Sequence, residues 1–124
     1  MSPQAATALQ ITRGDTSALN VTCYQSDGVT ALNITGYTLW WTAKNSASDA
    51  DPGVIQKTTT GGGITITNAA GGIATVNLVP ADTSGLSTGV ALLWDLQAKD
   101  GSGNITTLAS GTVTITADIT RAIT

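Results

Sequence analysis

The sequence predicts an all-β fold, and three observations lead to that prediction. Apolar and polar residues alternate along most of the chain with a period of two, which is typical of half-buried strands. Clusters of Gly, Asp and Asn interrupt the alternation about every ten residues, as turns between short strands do. Thr and Val, which favour pleated surfaces, are abundant, and no segment keeps a helical period. Because 124 residues enclose one core, we expect a single domain.

The first half of the chain contains five segments that we predict as strands, most of them with apolar residues at every second position. They are, in chain order, "ALQITR" (8–13), residues 19–24, "TALNITG" (30–36), "YTLWWTAK" (37–44) and "VIQKTTT" (54–60). Within residues 37–44 the alternation places Leu39 and Trp41 on one face and Trp40 on the other. The turn "SDGV" (26–29) and the polar loop "NSASDADPG" (45–53) separate these segments.

The second half repeats the pattern with one helical interruption. Its predicted strands are "ITIT" (64–67), "IATVNL" (73–78), "VALLWDLQAKD" (90–100) and "ITTLASGTVTIT" (105–116), the last of them bent near Gly111. Between the second and third of these, "PADTSGL" (80–86) predicts a single helical turn. Pro80 leads into that turn, and Asp82 and Thr83 can accept hydrogen bonds from free backbone amides.

Seven to nine short strands at this spacing favour two packed sheets, that is, an immunoglobulin-like antiparallel β-sandwich. A small barrel is the alternative architecture. We expect the sandwich to span residues 8–117, with residues 1–7 and 118–124 as flexible arms that reach a neighbouring subunit. Trp41 and Trp94 fall on apolar faces and should form the centre of the core.

The charge of the chain excludes several classes of partner. The net charge is −3 and only 10% of the residues are charged. No basic face is available to neutralise phosphates and no polybasic stretch to meet an acidic membrane, so we expect neither nucleic acid nor membrane as a partner. No secretory signal or membrane-length apolar run is visible, which favours synthesis in the cytoplasm. A surface rich in Thr, Ser, Asn and Gly suits dense assembly.

The residue types also argue against an enzyme. The usual general bases His and Glu are both absent, so every acidic side chain is Asp. Four of these carboxylates, Asp27, Asp49, Asp51 and Asp100, lie in predicted turns, where Asp caps its own backbone. Asp95 stands on the polar side of a strand, where pairing with Lys or Arg is expected. We therefore expect no catalytic residue and no cofactor.

Two further features admit a chemical interpretation beside a structural one. "DGSGN" (100–104) places oxygens at alternate positions, as a calcium loop begins, but it lacks the later Gly and the distant Glu, so we prefer a hairpin turn and expect no metal. Cys23, the single cysteine, alternates with Leu19 and Val21 and has no His to activate it, so we expect a buried structural thiol.

Residues 11–16, "ITRGDT", contain the tripeptide Arg13-Gly14-Asp15 that animal integrins recognise in their ligands. The competing interpretation is a strand connection, in which Gly14 adopts a positive φ and the carboxylate of Asp15 accepts hydrogen bonds from turn amides. In that case Arg13 projects outward and pairs with an Asp. Adhesion requires export to animal tissue, for which the sequence offers no signal, so we prefer the strand connection.

The aromatic residues give the strongest indication of a binding surface. Trp40 faces away from the predicted core, as Tyr24 does on its own strand. Exposed Trp on a sheet face anchors protein interfaces and also sugar-binding surfaces. Three alternatives stay open at this point: a protein interface, a sugar platform formed by Trp40 and Tyr24, and a loop that simply covers Trp40.

Four motifs in order carry a resemblance to a known family. They are "ITRGDT", "DGVTALNITGYTLWWTAK", "VNLVPADTSGLSTGVALLWDLQAKDGSGNITTLASGTVTIT" and "ADITRA". Together they resemble the immunoglobulin-like N-terminal domain of the baseplate upper proteins of tailed bacteriophages and related short stand-alone phage structural proteins. The resemblance spans about Gln10 to Arg121.

This resemblance implies a non-enzymatic virion protein that docks on capsid, tail or baseplate subunits, in many copies or as a homo-oligomer. A free-standing domain of this kind favours capsid decoration or a tail accessory role. The candidate interface residues are Trp40, Tyr24, Arg13 and Arg121. The alternative function is a carbohydrate-binding module on the virion surface that uses the exposed aromatics.

Overall fold

The computed structural model describes residues 6–25, 27, 29–46, 53–89 and 91–117, and these residues form two β-sheets. The larger sheet has the strand order β1-β8-β7-β3-β4, and the smaller one has the order β2-β6-β5. The strands are β1 (Ala6–Thr12), β2 (Ser17–Thr22), β3 (Thr38–Lys44), β4 (Ile55–Thr58), β5 (Ile64–Asn68), β6 (Ile73–Leu78), β7 (Ala91–Lys99) and β8 (Ile105–Thr116). One helical turn, α1 (Pro80–Thr83), connects β6 to β7.

This arrangement confirms the predicted all-β, immunoglobulin-like sandwich. In such a fold the second, fourth and fifth main strands form one sheet and the third, sixth and seventh form the other, with an extra strand beside the third in variable-type domains. Here β2, β6 and β5 form the first group, β3, β7 and β8 the second, and β4 is the extra strand. Two separate sheets also decide against the closed barrel.

The strand pairing differs from the prediction in one place. Seven residues of β1 pair in parallel with β8, from Ala6 opposite Ser110 to Thr12 opposite Thr116. The other paired strands are antiparallel. A parallel pair needs a long crossover. Here all the intervening strands, β2 to β7, form the connection between β1 and β8. The chain leaves β1 through a tight turn and enters β2 in the opposite sheet.

The structure also differs from the prediction in two local features. Residues 30–36 form no strand, and Ala31 makes only an isolated bridge with Tyr24. β8 is irregular at a different point from the predicted bend at Gly111: its pairing with β7 shifts between Leu96 and Gln97, opposite Ala109 and Thr107. Leu108, the extra residue, is buried there, so the irregularity adds an apolar side chain to the core.

β1 begins at Ala6, inside the predicted N-terminal arm 1–7. Residues 1–5 and the predicted tail 118–124 lie outside the described residues. In the described part of the chain, no helix has the length and apolarity that crossing a bilayer requires.

The core lies between the sheets, and two tryptophans stand in it as predicted. The rings of Trp41 on β3 and Trp94 on β7 are stacked, with centroids 6.1 Å apart and an interplanar angle of 28°. Trp94 donates its indole N–H to the carbonyl oxygen of Thr112 at 3.1 Å. The indole nitrogen of Trp41 is buried and has no hydrogen-bond partner among the described residues. Cys23 is buried, which confirms the structural thiol.

Candidate functional site

The alternation of side chains gives the sandwich two outer faces with different chemistry. On the larger sheet, outward residues of β3, β4, β7 and β8 border an open depression of about 800 Å³, which we call the outer groove; the core residue Trp94, opposite Gly111, also contributes to its lining. Its lining residues are Trp40, Thr42, Lys44, Gln56, Leu93, Trp94, Asp95, Gln97, Ile105, Ser110, Gly111 and Thr112.

Strand register arranges the outer groove in rows across the sheet. In the first row Trp40 stands between Thr58 on β4 and Gln97 on β7. Directly opposed side chains on antiparallel strands have Cβ atoms about 5 Å apart, so the indole and the Gln97 amide are immediate neighbours. The groove therefore begins with an aromatic ring beside a neutral hydrogen-bonding group.

The second row is a polar belt. Thr42 lies between Gln56 and Asp95, and Asp95 is in turn opposite Ser110 on β8. The Gln56 amide nitrogen donates to the Thr42 hydroxyl at 3.2 Å, so this bond does not use the amide oxygen of Gln56, which is an acceptor. This belt separates the ring of Trp40 from the apolar residue of the third row, Leu93, which lies opposite Lys44.

The apolar groups of the outer groove are exposed but not contiguous. Leu93 is 43% exposed and Ile105 is 66% exposed, while Trp40 is half-buried. About 13 Å of strand separates Leu93 from Gln97, the neighbour of Trp40. The groove also holds one cation, Lys44, and one anion, Asp95, so its lining carries no net charge.

The outer face of the smaller sheet, which we call the small-sheet face, carries no charged strand residue. β2, β5 and β6 contain no Asp, Lys or Arg, whereas the larger sheet holds Lys44, Lys57, Asp95 and Lys99. Side-chain hydrogen bonds cross the small-sheet face: Thr75 donates to Asn20 at 2.8 Å, and Asn77 donates to Thr65 at 3.2 Å. These bonds fix a surface of short hydroxyl and amide side chains.

Tyr24 and Trp40 do not share a surface. Trp40 is on β3 of the larger sheet, and Tyr24 follows β2 of the smaller sheet, where it is half-buried and bridges to Ala31. Cys23, which precedes Tyr24 in the chain, is buried in the core. By alternation, Tyr24 points away from the core, next to the smaller sheet. The predicted sugar platform made of both aromatics is therefore not formed.

Arg13 is held against the protein rather than projecting outward, which corrects the sequence-based expectation. Its Nη1 donates to the carbonyl oxygen of Leu86 at 3.4 Å, and its backbone N–H donates to Thr116 at 3.0 Å. Gly14 has a φ of +82°, as the turn requires, and its N–H donates to the buried hydroxyl of Thr83 at 2.8 Å. Tethering of the arginine argues against integrin recognition, which needs both charged side chains displayed.

Two of the turn carboxylates cap backbone amides as predicted. Asp27 accepts hydrogen bonds from the hydroxyl and N–H of Thr30 and from the N–H of Val29, and these bonds lower the pKa of its carboxyl. Asp100 accepts from the backbone and side chain of Asn104 and from Ser102, and its pKa is lowered for the same reason. The oxygens of "DGSGN" are thus used within the turn, and the described residues contain no cluster suited to a metal ion.

Three of the predicted residues lie outside the described part of the chain, namely Asp49, Asp51 and Arg121. Sequence reasoning also missed residues that the fold brings together. The place of Gln97 opposite Trp40, and of Gln56 opposite Thr42, depends on the pairing of β3 with β7 and β4. The side-chain pattern within one strand carries no such information.

The fold and the two faces define the chain as an immunoglobulin-like β-sandwich with one uncharged outer face and, on the other sheet, a groove of mixed aromatic and polar lining. No protein-family model matches the chain, and no curated protein sequence matches it significantly.

Proposed function

We propose that the chain is a non-enzymatic structural protein of a bacteriophage virion that docks on capsid, tail or baseplate subunits in many copies. The support from sequence is the order of phage-like motifs between Gln10 and Arg121. Synthesis in the host cytoplasm precedes assembly, and the virion is its final location. The observation that carries the proposal is the small-sheet face, an uncharged surface formed by strands β2, β6 and β5.

The small-sheet face suits docking for two physical reasons. Burying it against another subunit removes no charged strand residue from water, and desolvating a charge costs several kcal/mol per ion. Its side chains are short, and the bonds from Thr75 to Asn20 and from Asn77 to Thr65 already order them. Little side-chain entropy is therefore lost on docking. β2 also offers an open edge of six residues at one border.

Mass spectrometry of purified particles of the encoding phage tests the proposal. We expect the chain to be present in multiple copies, and cryo-EM of the same particles to show the small-sheet face against a virion subunit. Absence of the chain from the particles would contradict the proposed function.

Two variants, each with an arginine on one outer face, test which face docks on the virion. In particles complemented with variants, Asn20→Arg should reduce incorporation at least tenfold, because an interface would bury an unpaired guanidinium. Gln97→Arg places the same charge on the opposite sheet and should leave incorporation unchanged. Both residues lie outside the core, so Gln97→Arg should alter the free energy of unfolding by no more than about 0.5 kcal/mol, and Asn20→Arg, which also removes the hydrogen bond from Thr75, by about 1 kcal/mol. Equal incorporation of both variants would reject the small-sheet face as the docking surface.

A further inference from the structure

The outer groove is a second, independent binding surface, and its occupant can be inferred from its lining. It measures about 800 Å³, within the range of small-molecule sites, about 300–1,000 Å³. Trp40 is half-buried and lines the groove, and the side-chain amide of its cross-strand neighbour Gln97 makes no hydrogen bond to the described residues. An aromatic face and an unused amide thus stand side by side at one end of the groove.

We propose that the outer groove binds a short, uncharged oligosaccharide. A sugar ring has one face of C–H groups, which carry the partial positive charge that the negative face of an indole attracts. Stacked on Trp40, the ring turns its hydroxyl edge toward Gln97, whose amide can both donate to and accept from a hydroxyl.

The polar belt extends the site to a second sugar unit. Gln56 and Asp95 flank Thr42 one row further along the strands, about 7 Å from the row of Trp40. The amide of Gln56 offers an acceptor oxygen to the hydroxyls of the next ring. Because sugar hydroxyls are donors as well as acceptors, they match a lining of amides, hydroxyls and one carboxylate.

Other classes of ligand fit the lining poorly. An amphipathic helix needs a continuous apolar groove, but the polar belt interrupts the path from Trp40 to Leu93. An anionic ligand such as a nucleic acid needs an excess of cations, and the lining holds one Lys and one Asp. A neutral polar ligand with one apolar face is the chemistry that remains.

Titration of the purified protein with defined oligosaccharides, followed by two-dimensional NMR, tests the inference. The probes are neutral hexasaccharides of glucose, mannose, galactose and N-acetylglucosamine, together with an anionic oligogalacturonate. We expect at least one neutral probe to cause saturable shifts at the indole N–H of Trp40 and the amide of Gln97 at millimolar or lower concentration. The anionic probe should bind more weakly.

Variants assign the binding to named side chains. Trp40→Ala should weaken binding at least tenfold, Gln97→Ala about fivefold, as for one lost hydrogen bond, and Trp40→Phe should recover part of the loss. Tyr24→Ala, an aromatic deletion beside the other sheet, is the matched control and should bind as the wild type. If Trp40→Ala does not fold, Gln97→Ala decides alone, because Gln97 lies outside the core.

Three results would overturn the inference: no saturable shift with any neutral probe, shifts confined to the small sheet, or unchanged binding in the folded Trp40→Ala and Gln97→Ala variants. The assay uses no virions, so its failure leaves the proposed virion role intact. Conversely, a chain that is absent from particles can still bind oligosaccharides in this assay.

Discussion

At the scale of single residues, Gly72 is the position that tolerates a side chain least. It precedes β6 with a φ of +71°, a backbone conformation that penalises any Cβ atom. A Cβ built there would lie 2.6 Å from the carbonyl oxygens of both Cys23 and Leu32. The Cys23 oxygen cannot withdraw easily, because it accepts the N–H of Leu32 and the N–H of Cys23 donates to Gly72. The close approach therefore depends on glycine.

Gly72→Ala should lower the free energy of unfolding by about 3 kcal/mol, from backbone strain and overpacking together. Gly62→Ala is the matched control: its φ is +80°, but a Cβ there meets nothing within 4 Å, so the loss should be only about 1 kcal/mol. Urea unfolding of both variants measures the difference. Equal losses would show that the carbonyls of Cys23 and Leu32 move aside.

The "ITRGDT" segment shows what residue-level reasoning reaches and where it stops. The positive φ of Gly14 could be predicted, since glycine is the residue that adopts it without strain. The partners could not be predicted: Thr83 is 69 residues away along the chain from Gly14, and Leu86 is 73 away from Arg13. Only the packing of the turn against the α1 region creates these contacts.

At the scale of elements, one ion pair ties the edge of the larger sheet to the connection leaving the smaller one. Lys57 on β4 contacts the carboxylate of Asp82 on α1 at 2.8 Å, and both side chains are mostly buried. The same oxygen of Asp82 accepts the N–H of Val79 at 2.7 Å and so caps the start of the helical turn. Asp82 thus both forms the ion pair and caps the helical turn, whereas Lys57 forms only the ion pair.

Asp82→Ala should lower the free energy of unfolding by about 2 kcal/mol, because the cap and the ion pair are both lost. Lys57→Met should cost about 1 kcal/mol, since it removes only the ion pair and keeps the apolar stem. Thermal or urea unfolding of both variants, with the exposed Asp15→Ala as a control close to wild type, measures the order. A larger cost for Lys57→Met than for Asp82→Ala would contradict the double role of Asp82.

The elements themselves were largely predictable, because a period of two fixes both a strand and its faces. The alternation in β3 and β7 placed Trp41 and Trp94 in the core and Trp40 outside, as observed. It gave neither the parallel pairing of β1 with β8 nor the rows of the outer groove, since register depends on contacts between distant strands. The candidate site was therefore predictable as one residue, Trp40, and not as a surface.

At the scale of the whole molecule, the outer faces of the two sheets differ in charge. The strand charges all lie in the larger sheet, and the smaller sheet has none. A subunit that docks through its uncharged face turns the outer groove away from the particle, since the two faces lie on opposite sides of one core. The proposed virion role and the proposed oligosaccharide site are therefore compatible in one assembled protein.

The ionisation of the Cys23 thiol is coupled to folding of the whole sandwich, because the side chain is buried in the core. Its side chain is 1% exposed, and burial raises the pKa of the thiol from its ordinary value of 9.0 to about 11. The folded state thus favours the protonated thiol. A raised pKa contributes stability that is fully present below pH 9.0, the pKa of the unfolded thiol, and that is lost as the pH rises through about 11.

The alkaline loss of stability can be assigned to this one thiol by comparison with Cys23→Ala. Tyr and Lys residues titrate in the same range, so the wild type alone cannot isolate it. We expect the difference in unfolding free energy between wild type and variant to be constant up to about pH 9 and to shrink toward pH 11. Urea titrations at pH 7, 9, 10 and about 11 measure it. A difference that stays constant across this range would mean that the thiol ionises as readily in the folded chain as in the unfolded one.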